Sequence, residues 1–176
     1  ALNIASVVFM LPLAIGLAAS TRVGNLLGEE RFIEARYSSF VSVGLCFFGA
    51  LFNMTFLILL GDYFISLYTT DVLVFGVASQ LLIYAAIFQI PDGIGMGSLG
   101  ALRGYKDTFM TMVFLVISYW VFAIPFGYFL TYYGINEPMG ANGMWISMIL
   151  GLVIFAILIS YRLRNISLVF TRKIAQ

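Results

Sequence analysis

Asp92 is the residue most able to do chemistry in this sequence, because of where it stands. No other charge lies between Asp71 and Arg103, a stretch of leucine, isoleucine, alanine, phenylalanine and glycine long enough to cross a bilayer. A carboxylate at membrane depth costs roughly 2.5–3.5 kcal/mol on insertion scales. Such residues characteristically face a bundle interior or an aqueous cavity and mark an ion path or a substrate site. The bland alternative is an aspartic acid kept protonated, or paired to a neighbour, for packing alone. At helical spacing Asp92 shares a face with Phe88, Gln89, Gly95 and Met96. Gln89 is the natural polar companion, and Tyr84 lies further along roughly the same side.

Pro91 precedes the carboxylate, and Gly93, Gly95, Gly97, Gly100 and Gly104 follow it. A proline inside a helix donates no hydrogen bond and clashes with the preceding turn, so Pro91 frees the Ile87 carbonyl and bends the helix. The glycines have two readings. Small residues let membrane helices approach closely, or Pro91, Gly93 and Gly95 together form a hinge. A freed carbonyl, a carboxylate and a pliable backbone resemble the broken-helix ion sites of secondary transporters. On that reading Asp92 is a candidate Na⁺ ligand or proton carrier.

The rest of the chain must position this residue in a membrane. It is 62% hydrophobic and 10% charged, where a soluble domain carries about 25% charged residues. There is no histidine and a single cysteine, Cys46, inside an apolar segment. Disulfides, cysteine–histidine metal sites and the usual nucleophile–base pairs are thereby excluded, and nothing suggests a nucleic-acid footprint. No second acid or nucleophile accompanies Asp92 at depth, so an enzyme is the least favoured function class.

Five spans meet the length of about 20 apolar residues that a crossing requires. They are Ala1–Ser20, Ser38–Gly61, Val72–Leu102, Thr108–Tyr133 and Gly143–Tyr161, followed by a polar, basic tail, Arg162–Gln176, suited to a short interfacial helix. The third span amounts to roughly 46 Å of ideal helix, more than the roughly 30 Å hydrocarbon core, so it must tilt, bend or protrude. The expected fold class is therefore all-α integral membrane. All nine Lys and Arg fall in the first and third connections and the tail. The positive-inside rule makes that side cytoplasmic, with Ala1 outside and Gln176 inside. The apolar run is already under way at Ala1 without a basic leader, which suggests that the chain begins inside a larger protein.

The connections read as architecture. Gly24 to Gly28 followed by Glu29-Glu30 suggests a helix stop and a new start, with acids where the next helix dipole favours them. Thr70 and Asp71 suit N-caps, and Asn136-Glu137-Pro138 a turn. Asn53, Thr55, Ser118, Tyr119 and Ser147 read as packing groups that satisfy themselves by interhelical or backward hydrogen bonds. Asn3 is set apart as a weaker site candidate, because it would face sequence upstream of the chain.

Several segments resemble one family. Phe9-Met10-Leu11-Pro12-Leu13-Ala14-Ile15-Gly16, then Arg22-Val23-Gly24 and Leu27-Gly28, are similar to the eighth transmembrane helix and following loop of multidrug and toxic compound extrusion (MATE) transporters of the NorM-like branch. Phe88-Gln89-Ile90-Pro91-Asp92, with Ala101 to Thr108, resembles their tenth helix, and Tyr119-Trp120, Pro125 to Tyr128 and Gly140 to Trp145 the eleventh and twelfth. The resemblance implies a twelve-helix exporter of two six-helix lobes that expels amphipathic organic cations in exchange for Na⁺ or H⁺. This chain would supply helices eight to twelve of the C-terminal lobe in a multi-pass cell-membrane protein, bacterial inner membrane by expectation. Its partners would be the lipid bilayer, the N-terminal lobe and the seventh helix, with no cofactor beyond the coupling ion. Asp92 matches the family's acidic residue of the tenth helix, implicated in coupling-ion and, in some members, substrate binding. Phe88 stands where some relatives carry a tyrosine near the ion. The alternatives are a lipid-linked sugar flippase of the same superfamily, which would want cationic residues within its spans, and a non-transporting membrane scaffold.

Overall fold

A computed structural model describes residues 2–68, 72–134 and 138–172, with side chains from Met10 onward apart from residues 67, 68, 72 and 73. In hydrocarbon, every backbone N–H and C=O must be paired within its own segment, and the helix is the local way to do it. The described chain is accordingly helical. α1 spans Leu2–Gly28, α2 Phe32–Tyr68, α3 Val72–Gly104, α4 Thr108–Val116, α5 Ile124–Tyr132 and α6 Ala141–Arg172, with a π-helical segment, Ile117–Ala123, joining α4 to α5. α4, the π-helical segment and α5 make one crossing, so five helical rods are long and apolar enough to span a membrane. The all-α, five-crossing architecture read from the sequence is the one found. Thr70, Asp71, Asn136 and Glu137, assigned above to caps and a turn, lie outside the described residues.

α3 is the central rod, packed against α1, α2 and α6, while α4, the π-helical segment and α5 attach through α6. Glycine sets how closely α3 approaches its neighbours. A Cβ on Gly93 would stand 2.6 Å from Ala50 Cβ and 2.8 Å from the Cys46 carbonyl, and one on Gly97 2.8 Å from Val43 Cα, all on α2. One on Gly100 would strike the backbone of Gly16 on α1. These small positions at helical spacing bring helices nearly into backbone contact, which is how membrane helices gain dispersion energy without a hydrophobic drive. The larger buried cluster lies towards the basic end and joins Val23, Leu26, Leu102, Phe155, Ile159 and Leu163. A smaller one joins Leu57, Ile65, Leu82 and Ala86 of α2 and α3.

The two short connections between α1 and α2 and between α3 and α4 turn through left-handed residues, Glu30 (φ 60°) and Lys106 (φ 61°). In the first, α1 ends at Gly28 as expected, and the Arg31 amide donates to the Leu26 carbonyl at 2.9 Å. Arg31 then bridges Glu29 (2.8 Å) and Glu34 (2.6 Å). Two glutamates raise the Arg31 pKa above its ordinary value, Glu34 contributing more than Glu29.

Arg162–Gln176 is not a separate tail over its described part. α6 runs unbroken to Arg172, and Leu163 and Ser167 are fully buried. Leu163, Ile166 and Phe170 form an apolar stripe at spacings of three and four, which a helix turns onto the core. Phe170 packs its ring against Tyr105 at 5.4 Å and Phe32 at 6.0 Å. Arg162 donates to Asp107 Oδ2 at 2.6 Å, tying α6 to the start of α4. The basic residues hid this continuation, because they were read as a solvated end instead of one polar face.

Candidate functional site

Asp92 sits on α3 between Pro91 and Gly93, both buried. Its Oδ2 is buried and has no hydrogen-bond partner among the described residues, and the same holds for Oε1 of Gln89, whose side chain is 2% exposed. Buried polar atoms are ordinarily paired, and each exception calls for an explanation. Here two unpaired oxygens lie three residues apart, on one face of one helix. Both are acceptors whose hydrogen-bonding capacity the described side chains leave unused.

The surroundings come from three other elements. At Gly93 the backbone of α3 meets Cys46 and Ala50 of α2. At Gly95 it meets the Phe155 ring of α6, 3.3 Å from where a Cβ would stand. The Cys46 thiol and the Tyr119 phenol both lie within electrostatic range of the Asp92 carboxyl. Cys46 Sγ itself donates to the carbonyl of Pro12 at 3.6 Å, which joins α2 to α1 beside the site. Tyr119 belongs to the π-helical segment, where the Ile124 amide donates to the Tyr119 carbonyl five residues back. Pro125, one residue further, has no amide to give, and the wider turn absorbs that mismatch while re-aiming the side chains of residues 117–123.

The sequence candidates are spread over α1 and α3. Asp92 and Gln89 lie three residues apart on α3, each with an unpartnered buried oxygen. Phe88 turns its ring onto Trp145 of α6, edge to face at 6.4 Å, and joins the larger core cluster. Tyr84 is half-buried two turns before Asp92. Asn3 lies within α1, but its side chain is outside the described set. α3 continues as a helix through Pro91, so the broken-helix comparison does not apply: this carboxylate is carried by an unbroken rod. Pro12 is tolerated within α1 in the same way. Gly93 and Gly95 have an immediate packing role, against α2 and α6 respectively.

The electrostatic coupling of Cys46 and Tyr119 to Asp92 has no counterpart in the sequence expectations. Cys46 gave no signal beyond its small size. Tyr119 gave a faint one, because Pro125 sits close enough downstream to demand a local distortion of its helix. Among the described residues no cluster of three His, Cys, Asp or Glu could hold a metal ion. A groove of about 530 Å³ between α6 and the rod formed by the π-helical segment and α5, walled by Val121, Phe122, Phe126, Phe129, Leu150 and Ile154, does not include Asp92 and has no charged residue in its lining.

Residues 1–129 match the MatE family. The chain belongs to that family. It is 43% identical over 164 residues to the multidrug resistance protein NorM of Vibrio vulnificus strain YJ016, covering 93% of the chain and 36% of that relative. It is 37% identical over 171 residues to the probable multidrug resistance protein NorM of Bacillus cereus strain ATCC 10987, covering 97% and 37%. With the multidrug resistance protein PmpM of Pseudomonas aeruginosa it shares 33% identity over 174 residues, covering 98% and 36%. The chain therefore spans a little over a third of the length of these relatives. Its fold matches the crystal structure of the eukaryotic MATE transporter AtDTX14 with a TM-score of 0.84 at 20% identity, over 98% of this chain and 39% of that one. The chain is a multi-pass membrane segment with the MATE fold.

Proposed function

We propose that this chain forms part of a cation-coupled multidrug efflux antiporter, in which Asp92 carries the coupling ion, Na⁺ or H⁺. It would supply helices eight to twelve of the C-terminal lobe, and the N-terminal lobe and a seventh helix would complete the cavity. The observation that carries the reading is the pair of buried, unpartnered oxygens, Asp92 Oδ2 and Gln89 Oε1. A carboxylate in apolar surroundings is stabilised by neutralisation, whether by a proton, by Na⁺ or by an organic cation. Two cations competing for one carboxylate cannot both be held. Arrival of the coupling ion from outside therefore displaces an amphipathic organic cation, and exchange follows when the two lobes alternate access. Gln89 would orient the carboxyl or share the cation. Phe88, packed on Trp145, would give the site an apolar wall, Tyr119 would lend a hydroxyl in electrostatic range, and Tyr84 stays a candidate further along α3. Asn3 stays a candidate from α1.

Alternating access also needs α3 to shift against its neighbours, and Pro91, Gly93 and Gly95 are the proposed hinge. In the proposed orientation Ala1 is outside and Gln176 cytoplasmic, in the cell membrane, with transport and no enzymatic step. Asp92→Asn in the intact protein tests this. Asn preserves volume and hydrogen bonding but cannot exchange a proton or present a full charge. Efflux of an organic cation dye should be lost at normal membrane abundance, with Asp92→Glu retaining part of it. Normal, ion-dependent efflux by the Asn variant would remove Asp92 from the mechanism and leave it a packing group.

A further inference from the structure

We infer that the groove between α1 and α2 is a binding site for one acidic phospholipid of the leaflet that meets the basic end of the helices. The groove has a volume of about 290 Å³, at the lower edge of the roughly 300–1,000 Å³ sites that enclose a drug-sized molecule. That size suits a single chain laid along it. Arg22, Tyr37 and Ser38 line it near the α1–α2 connection, and Ile15, Val41 and Leu45 line its deeper part. From Arg22 to Ile15, and from Tyr37 to Leu45, the rise is about 10–12 Å of helix. A cation and hydroxyl groups thus cap an apolar trough, an order that mirrors a phosphate above an acyl chain.

Charge complementarity decides the occupant. Arg22 is exposed and makes no ion pair among the described residues, although acids lie close in sequence. Glu29 and Glu34 are both engaged by Arg31, at 2.8 and 2.6 Å, and Glu30 forms no ion pair with Arg22 or any other described residue. Arg22 therefore faces the groove mouth with its charge unspent, beside the exposed Tyr37 ring and the Ser38 hydroxyl. Basic pockets between helices at the membrane surface hold anionic headgroups, with a worth of about 1 kcal/mol per basic residue. Asp92 is not in its lining, and an organic cation, the cargo of the proposed antiport, is repelled from the same place.

Native mass spectrometry of the intact protein tests it, with phosphatidylglycerol and phosphatidylethanolamine added in turn. The wild type should retain one phosphatidylglycerol in preference to phosphatidylethanolamine. Arg22→Gln should reduce that preference roughly fivefold, the worth of one basic residue. Ala18→Leu, which fills the trough and keeps Arg22, should lower retention of both lipids. Three results would overturn the inference. Equal lipid retention by both variants and the wild type would mean that another segment of the protein covers the groove. Loss of the preference on adding millimolar inorganic phosphate would mean a free-anion site. Unchanged preference in Arg22→Gln with a normal unfolding midpoint would mean that Arg22 does not read the headgroup.

Discussion

Gly93→Ala perturbs the point where the helix carrying Asp92 touches α2, and the structure fixes both its sign and its scale. The new Cβ would stand 2.6 Å from Ala50 Cβ and 2.8 Å from the Cys46 carbonyl oxygen. Ordinary carbon contacts lie at about 3.5–4.0 Å, so α2 and α3 must separate by about 1 Å or distort. Overpacking of this kind costs typically 1–3 kcal/mol, and the upper half applies because one of the two obstacles is backbone. Ala50→Gly removes only the first obstacle. The double variant should therefore recover part of the loss, with the Cys46 carbonyl contact remaining. Gly76→Ala is the control of opposite sign: it sits in the same helix with nothing within 4 Å of the new Cβ, and gains up to about 1 kcal/mol in helix propensity. Equilibrium unfolding of the purified protein in mixed micelles reads all four variants. A Gly93→Ala protein as stable as the wild type, or complete recovery in the double variant, would refute the close α2–α3 contact described here.

Asp107→Ala should destabilise by about 1.5–3 kcal/mol, the range for hydrogen bonds to charged groups, since the Asp107 side chain is 12% exposed and holds Arg162 at 2.6 Å. A double-mutant cycle with Arg162→Ala measures that coupling, and an additive result would contradict the tie. Phe170→Ala, which opens the ring cluster with Tyr105 and Phe32, should cost about 2 kcal/mol, below the 3–5 of a fully buried phenylalanine. A neutral outcome would restore the reading of this end as a polar tail not packed on the core. Reporters inserted near Lys106 and fused after Gln176 should read as cytoplasmic and one near Glu137 as external, and an external signal at Lys106 would reverse the orientation.

The rods were legible because hydrocarbon leaves the backbone one local solution, and an apolar run bounded by charges declares its own length. Asp92 was legible for the related reason that a charge in such a run is costly and so conspicuous. Its relation to Gln89 followed from helical periodicity alone. What periodicity within one helix cannot give is the relative rotation of two helices. The electrostatic coupling of Cys46 and Tyr119 to Asp92 was therefore not legible, and Phe88 could not be assigned to Trp145. The continuation of α6 past Tyr161 was obscured by arginines, whose charge outweighed the Leu163, Ile166, Phe170 stripe in the reading. The glycines were legible as special but not as to use. Only the facing backbone of Cys46, Val43 and Gly16 reveals what each one fits against.

The central claim is that Asp92 exchanges an inorganic cation for an organic one, and gradient-driven transport by the intact protein in proteoliposomes tests it most directly. Na⁺ and pH gradients are imposed separately, on the wild type and on Asp92→Asn, while uptake of a fluorescent organic cation is followed. One of the two gradients should drive accumulation by the wild type and neither should do so in Asp92→Asn, although that protein is equally abundant and folded. Accumulation by Asp92→Asn that still follows the same gradient would contradict a coupling role for Asp92.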